Sequence, residues 1–259
     1  AVACAVLAPW LSPHDPYLQA IGTRLIPPAW DAGGSWTHPL GTDPLGRDIL
    51  SRIIYGAQVS ISAGALAVAV AMTFGVLMGL LAGYYGGAAD SIISNLVNIM
   101  LAYPFLLLAL AAIAVLGPSF GNMIVVLGLT GWPVYTRVVR AETLKYRERE
   151  FVQAARALGL GSPRIIRVHV LPNLVNTIIV MASLEVARMI ILESFLSFLG
   201  LGIQPPIPSW GGMLGEGRVY MLTHWWLAAF PGLAIFVTTL GINLFGDGLR
   251  DVLDPHRVL

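Results

Sequence analysis

Three charged residues interrupt an otherwise apolar stretch at residues 168–200: Glu185, Arg188 and Glu193. Charged side chains at membrane depth are costly and face protein or water. At about 100° per residue, all three share one face of a helix, and Glu185 can pair with Arg188 three residues later. Such a face could line a translocation path and contact the ends of a zwitterionic solute. It could equally be an internal ion pair that fixes packing, and the sequence leaves both interpretations open.

The remaining reactive residue types form no catalytic or metal-binding pattern. Cys4 is the only cysteine, which excludes an internal disulfide and a multi-cysteine metal site. His14, beside Asp15, and His38 are isolated residues of a loop, expected to be solvated, so we predict no metal site. Lys145, the only lysine, lacks the G-x-x-x-x-G-K-[ST] frame of a phosphate-binding loop. We therefore predict a protein that is not an enzyme and binds no cofactor of its own.

Residues 137–167 concentrate positive charge between two long apolar stretches. The segment holds eight of the fifteen Lys and Arg residues of the chain. Placing all eight in lipid would cost roughly 20 kcal/mol or more, and Lys and Arg collect on the cytoplasmic side of membrane proteins. We therefore predict a cytoplasmic loop. Its basic residues are Arg137, Arg140, Lys145, Arg147, Arg149, Arg156, Arg164 and Arg167.

The spacing of apolar residues predicts that this loop is helical. Phe151, Ala154, Ala155 and Leu158 recur at i, i+3, i+4 and i+7, which predicts one apolar stripe on a helix that ends at Gly159. A structured basic helix between membrane spans suggests a docking surface for a cytoplasmic protein. An amphipathic helix lying on lipid headgroups is the alternative. Because cytoplasmic placement already accounts for the arginines, no nucleic-acid partner is predicted.

A second short helix is predicted to follow at an angle to the first. Ser162 suits the N-cap position and Pro163 the first helical position. Pro172 is expected to break or kink the chain where it enters the next span.

The composition indicates a polytopic membrane protein. Hydrophobic residues make up 56% of the chain and charged residues 11%, against about 25% in soluble domains. Since a helix needs about 20 apolar residues to cross the bilayer, we predict an all-α protein with about six transmembrane helices, the first truncated at its N-terminus, in one domain over residues 1–259. The predicted spans are about 1–11, 58–84, 91–116, 121–140, 170–200 and 225–246.

The position of the basic loop orients these spans. With residues 141–169 in the cytoplasm, residues 12–52 form an outer segment, and both termini of the full-length chain are cytoplasmic. In the outer segment, turn-forming residues at 42–48 are predicted to precede an amphipathic helix at 50–57 on the outer surface.

The positions of some glycines and prolines predict how the helices pack and bend. Gly75, Gly79 and Gly83 are four residues apart, which predicts a face for close helix contact, inside the chain or against another subunit. Pro104 and Pro133 are expected to kink their spans.

The basic loop resembles the EAA loop of ABC-importer permeases. That loop runs Glu-Ala-Ala, three residues, Gly, nine residues, Ile, one residue, Leu-Pro, and the spacing is intact here. Gln153 replaces Glu and His169 replaces Ile, while Glu150, one turn earlier, could supply the acidic group. The resemblance implies a helix that couples to a cytoplasmic ATPase. The implied coupling residues are Glu150, Gln153, Ala154, Ala155, Leu158, Gly159 and Pro172.

Further segments narrow the resemblance. Residues 38–61, 193–206, 209–214 and 246–255 look like the C-type permease of dipeptide, oligopeptide and nickel importers. Motifs in the right order over almost the whole chain imply the type I ABC importer permease fold.

This resemblance implies half of a translocation path in the bacterial inner membrane, with di- or oligopeptides as cargo and Glu185, Arg188 and Glu193 as path residues. The implied partners are a homologous B-type permease, two cytoplasmic subunits that bind ATP and Mg, and an extracytoplasmic substrate-binding protein. The alternatives are an importer of nickel or another small solute, or an ion-driven secondary transporter.

Overall fold

The computed structural model describes residues 2–253. These residues form helices and no strand, with a single isolated bridge between Thr42 and Asp48, which confirms the predicted all-α class. A π-helical segment covers Ile166–Val170, and 3₁₀ turns cover Ile21–Thr23 and Arg218–Tyr220. The α-helices are α1 (Val2–Val6), α2 (Ala8–Leu11), α3 (Ile49–Tyr85), α4 (Gly87–Ala102), α5 (Phe105–Leu116), α6 (Phe120–Arg147), α7 (Glu150–Ala157), α8 (Ser162–Ile165), α9 (Leu171–Phe198), α10 (Trp210–Gly217) and α11 (Trp226–Leu253).

Three helices in the described chain are long and apolar enough to cross a membrane: Ile49–Tyr85, Ser162–Phe198 and Trp226–Val252. Helices α4 and α5 pass the same criterion together, but they are bent by 90° relative to each other, as in a broken span or a re-entrant loop. The described residues therefore contain three candidate membrane spans, or four if the bent pair is one span. The count of six stays a prediction.

The bend between α4 and α5 has a local cause at Pro104. The preceding residue, Tyr103, is extended, with φ −93° and ψ 139°. Proline disfavours the α conformation in the residue before it and lacks the N–H that would continue the helix. The kink predicted at Pro104 is thus a complete break, whereas Pro133 lies inside the single helix α6.

Helix α3 begins earlier than the predicted span. The prediction of a separate helix on the outer surface at residues 50–57 is wrong, because these residues are the first turns of α3. The start of the helix is fixed by Asp48, whose Oδ2 accepts a hydrogen bond from the Ser51 backbone N–H at 2.8 Å. Gly56 does not interrupt the helix, and its position lies close against the side chain of Trp210.

The chain divides into two compact units. The first comprises the described part of residues 1–65 with 112–124 and 186–242, and the second comprises 66–111, 125–185 and the described part of 243–259. Helices α3, α5, α6, α9 and α11 contribute residues to both units.

The first unit has two buried apolar clusters. One joins Ala57 of α3 with Ile190 of α9 and Trp210 of α10. The other joins Ile49 of α3 with Met213 of α10, together with Trp226 and Leu227 at the start of α11. Both clusters hold α10 against membrane-length helices.

In the second unit, α3 packs closely on α6 through the predicted glycine face. A Cβ atom added at Gly75, Gly79 or Gly83 would lie 2.5–2.7 Å from the side chain of Tyr135, Val139 or Thr143, respectively. Such distances are far inside van der Waals contact, so only glycine allows this approach. Of the two interpretations of the glycine spacing, the structure supports packing inside the chain.

Candidate functional site

Helix α7 is a short, well-terminated helix within the basic loop. Its N-terminal turn carries Glu150 and its last turn carries Arg156, which suits the helix dipole at both ends. Gly159 has φ +81°, the left-handed conformation predicted for it. The N–H of Gly159 donates to the Arg156 carbonyl at 3.0 Å and that of Leu160 to the Ala155 carbonyl at 3.2 Å. This is the Schellman arrangement, and it sets a firm C-terminal boundary.

The buried side of α7 differs in part from the predicted stripe. Val152 and Ala155 are buried, whereas Phe151 is 43% exposed, Leu158 is 81% exposed and Ala154 is also exposed. The sequence of α7 allows two apolar stripes about 100° apart, one with Phe151 and Leu158 and the other with Val152 and Ala155. In the structure, the stripe with Val152 and Ala155 packs on the core. The prediction that all four stripe residues lie on one face is therefore wrong for Ala155.

Val152 and Ala155 attach α7 to the core of the second unit. They pack in one buried cluster with residues from α3, α6 and the helix that follows the loop. The other buried members of this cluster are Leu80, Tyr84, Val139, Ile165, Val170, Leu174 and Ile178. The loop helix is thus held by apolar packing from three other elements.

Polar contacts reinforce this attachment. The Arg156 guanidinium lies over the Tyr84 ring, 5.4 Å from its centroid. Arg147 Nη1 donates to the backbone carbonyls of Gly83 and Tyr84, and its Nε donates to Glu148 at 2.9 Å. These bonds connect the end of α6 to the end of α3 directly beside α7, so the helix has little freedom to move alone.

The side of α7 that faces away from the core is apolar and exposed. We call Phe151, Ala154 and Leu158 the α7 surface. Of its polar neighbours, Glu150 is exposed and Gln153 donates to the Glu148 carbonyl at 3.1 Å. Apolar residues at i, i+3 and i+7 on a rigid, solvent-accessible helix are typical of a helix that inserts into a groove of another protein.

Of the break or kink predicted at Pro172, the break is wrong, because the helix continues through this residue. Ser162–Phe198 is continuous, and its residues Ile166–Val170 have π geometry. A proline in an α-helix lacks an N–H, and its ring meets the carbonyl four residues earlier. The wider π turn, in which the Leu171 N–H donates to the Ile166 carbonyl, makes room for that ring. The helix begins with Gly161 as its N-cap, so the cap predicted at Ser162 is one residue off.

The charged residues of α9 occupy different environments. Glu185 and Arg188 are half-buried. Glu193 is fully buried in the first unit, where its carboxylate accepts from the hydroxyls of Ser197 at 2.7 Å and Ser194 at 3.3 Å. Ser60 and Ser209 also hydrogen-bond to it. Glu193 is therefore enclosed by protein side chains and has no contact with solvent in this chain.

An ion-pair network near the N-terminal end of α3 is not evident from the sequence. Arg47 contacts Asp43 at 2.5 Å and Glu216 at 2.7 Å, while Arg52 contacts the same carboxylates at 2.9 and 3.1 Å. The three residues from 43–52 are buried and Glu216 is partly exposed. Two guanidinium groups and two carboxylates thus balance in charge and connect the start of α3 to α10.

The proton affinity of Glu216 is shifted by its surroundings. Burial raises the pKa of the Glu216 carboxyl, and repulsion from Asp43 adds to the rise, while Arg47 opposes it. Only the Asp43–Arg47 spacing of four residues could have signalled this network, because Glu216 lies far away in the sequence.

A cavity of about 240 Å³ adjoins the network in the first unit. Its polar lining comes from Arg52, Glu216 and Arg218, with Gln204 and Ser209. The cavity thus offers both charge signs.

The segment that precedes α3 also brings together two histidines and an aspartate, although the histidines were expected to be isolated and solvated. His14, His38 and Asp48 each place one possible ligand atom within 4.8 Å of the others. His14 is adjacent to Asp15 in the sequence, but the carboxylate beside its ring in space is that of Asp48.

Comparison with protein families supports a transport role. The family described as "Binding-protein-dependent transport system inner membrane component" matches residues 75–258. The di/tripeptide transport system permease protein DppC of Pseudomonas aeruginosa is 45% identical over 254 residues, which cover 98% of this chain and 84% of that protein. The glutathione transport system permease protein GsiD of Pectobacterium atrosepticum is 43% identical, covering 98% of this chain and 83% of that protein.

The fold also matches a solved transporter structure. An inward-facing structure of the MetNI methionine ABC transporter aligns with a TM-score of 0.63 at 18% identity, covering 78% of this chain and 96% of that chain. At this identity the match concerns the fold alone, and it confirms the type I permease fold.

Proposed function

The chain belongs to the family of binding-protein-dependent transport system inner membrane components, and on that premise we propose that it is the permease subunit of an ATP-driven importer of di- or oligopeptides. Two relatives named for di/tripeptide and glutathione transport support this cargo class, since glutathione is itself a small peptide. The chain would form half of the translocation path in the bacterial inner membrane, beside a homologous B-type permease.

The α7 surface is the observation that best supports coupling to an ATPase. A rigid helix with exposed Phe151, Ala154 and Leu158 offers an apolar face to a cytoplasmic protein. Ala154 has a small side chain, which permits close backbone approach. The other proposed coupling residues support this surface in different ways, because Ala155 anchors α7, Gly159 ends it, and Pro172 shapes the helix that follows.

Partner subunits would supply the energy. Since Lys145 has no phosphate-binding frame around it, ATP and Mg would bind to two cytoplasmic ATPase subunits. ATP binding would close these subunits and displace the α7 surface. The attachment of α7 through Val152 and Ala155 would pass this displacement to α3 and α6, and the permease pair would open outward to receive cargo from a substrate-binding protein. Both termini would lie in the cytoplasm.

The charged residues of α9 are proposed to serve the path in two ways. Glu185 and Arg188 would contact the charged ends of a peptide. Glu193, enclosed by serines, would keep the outer part of α9 in a fixed position.

The coupling proposal is tested by placing a charge on the α7 surface. Ala154→Glu and Leu158→Glu should lower peptide-stimulated ATPase activity and uptake in proteoliposomes at least tenfold, because a buried unpaired carboxylate disfavours the groove contact. Leu222→Glu is the matched control, since Leu222 is fully exposed and lies outside the basic loop. Normal uptake in both α7 variants, at equal amounts of inserted protein, would refute the coupling role.

A second experiment, on uptake into vesicles, tests which cargo is transported and which energy source drives transport. Uptake of a labelled dipeptide should be competed by other short peptides and not by nickel ions. It should depend on ATP inside the vesicles and persist when an uncoupler collapses the ion gradient. Loss of uptake with the uncoupler while ATP is retained would favour the ion-driven alternative.

A further inference from the structure

Three potential metal ligands converge in the outer segment, before and at the start of α3. His38 Nδ1 lies 3.0 Å from Asp48 Oδ1, and His14 Nδ1 lies 3.8 Å from Asp48 Oδ2. The two imidazole rings are 4.8 Å apart between centroids. All three residues belong to the first unit.

The spacing of these atoms fits a single small cation. Zinc binds imidazole nitrogen and carboxylate oxygen at about 2.0–2.2 Å, so neighbouring ligand atoms on a tetrahedral ion are about 3.4 Å apart. The distances to Asp48 Oδ1 and Oδ2, 3.0 and 3.8 Å, lie on either side of that value. All three ligand atoms lie within 4.8 Å of one another, so a bound ion would draw the widest pair closer together. Two imidazoles and one carboxylate form a known donor set for divalent transition metals, and three protein ligands leave one position open for water.

Hydrogen bonds already orient the Asp48 carboxylate and hold the His14 backbone in place. Ser51 donates to Asp48 Oδ2 through its backbone N–H at 2.8 Å and its hydroxyl at 2.6 Å. The same hydroxyl oxygen accepts the backbone N–H of His14 at 3.0 Å, and Ser12 Oγ donates to the His14 carbonyl at 2.6 Å. Outer contacts of this kind fix ligand orientation in metal sites.

The His14 ring provides a separate indication. Its Nδ1 atom is buried and has no hydrogen-bond partner. A buried polar atom normally has a partner, so an exception needs an explanation such as a bound ion. Capping of α3 by Asp48 and a hydrogen bond with His38 would explain those two residues without a metal, but they give His14 Nδ1 no hydrogen-bond partner.

We propose that His14, His38 and Asp48 bind one divalent transition-metal ion of the zinc type. The ion would join the beginning of the outer segment to the N-terminus of α3 and leave a coordination position open toward the partly exposed side of His14. This site is independent of the proposed cargo and of the coupling helix.

The site is tested by metal titration of the full-length chain with its copurifying subunits, without a histidine tag, in lipid nanodiscs. Cobalt(II) should give the intense visible absorption of a four-coordinate site, and Zn²⁺ should displace it at one equivalent. His14→Ala and His38→Ala should each weaken Zn²⁺ binding at least tenfold, and Ser51→Ala should weaken it about 10- to 100-fold through loss of ligand orientation.

His224→Ala is the matched control, because its imidazole lies outside the cluster and its Nδ1 contacts Thr223 Oγ1 at 2.8 Å. It should bind as the unchanged chain does. Equal stoichiometry and affinity in the His14→Ala/His38→Ala double variant would overturn the proposal. So would the absence of a visible cobalt band in the unchanged chain, an outcome that does not depend on whether any variant folds.

Discussion

Asp43→Asn is expected to destabilise the N-terminal end of α3 strongly. The Asp43 carboxylate is 7% exposed and contacts Arg47 and Arg52, whose side chains are 5% and 3% exposed. The amide of asparagine is nearly the same size and can still accept the backbone N–H groups of Leu45 and Arg47, which bond to Oδ1 at 2.8 and 3.0 Å. The substitution therefore removes the charge while it keeps the turn.

The magnitude follows from the two arginines that remain. Removal of one partner from a buried ion pair costs about 3–5 kcal/mol, because the other charge stays buried and uncompensated. Glu216 would then be the one carboxylate of the network left to balance both Arg47 and Arg52. In a protein of this size, 1 kcal/mol corresponds to about 2–4 °C in Tm, so Asp43→Asn should lower Tm by about 10 °C.

Thermal unfolding in lipid nanodiscs, followed by tryptophan fluorescence, measures this effect. Asp31→Asn is the matched control, because Asp31 is exposed in the same outer segment and its substitution should change stability by less than about 0.5 kcal/mol. Combining Asp43→Asn with Arg47→Met should cost less than the sum of the two single changes, since the residues are in contact. A Tm for Asp43→Asn within 2 °C, roughly 1 kcal/mol, of the control would refute the reasoning.

Two further predictions concern packing and pH. Gly79→Val should lower Tm by several degrees, because a Cβ there would lie 2.7 Å from Val139 and overpacking costs about 1–3 kcal/mol. Gly241→Val is the control and should change Tm little, because a Cβ at this helical position would have nothing within 4 Å. Equal effects of the two substitutions would contradict the packing of α3 on α6. The raised pKa of Glu216 means that folding favours the protonated carboxyl. Its contribution to the free energy of unfolding is therefore fully present below the pKa of the unfolded chain, and it is lost as pH rises through the pKa of the folded chain. The Tm of the unchanged chain relative to Glu216→Gln should therefore rise as pH is lowered from 7 toward 4.5, and a fall would be inconsistent with that shift.

Local patterns in the sequence were sufficient to predict that the basic loop is helical. The spacing at 151–158 predicts a helix, and Gly159 ends it in the left-handed conformation as expected. These features depend on backbone hydrogen bonds and on residues close in the chain, so neighbouring residue types specify them. The choice between two apolar stripes on α7 depended on the core formed by α3, α6 and α9, which no local pattern contains.

Two prolines illustrate the same difference between features that the sequence predicts and features that only the structure shows. Pro104 ends α4 because the residue before it is extended, a local effect that the sequence predicts. Pro172 lies in a continuous helix because a π turn makes room for its ring, and periodicity gives no sign of that turn.

The sequence by itself determined the all-α membrane class, the basic loop and the glycine spacing, because composition and period are properties of the chain. Only the tertiary structure decided that Asp43, Arg47 and Arg52 meet Glu216, that Glu193 is enclosed by serines, and that His14 meets His38 and Asp48. These groups come from segments far apart in sequence. Their contacts depend on how α3, α9, α10 and the outer segment pack, because buried charges and imidazoles need partners that only packing can supply.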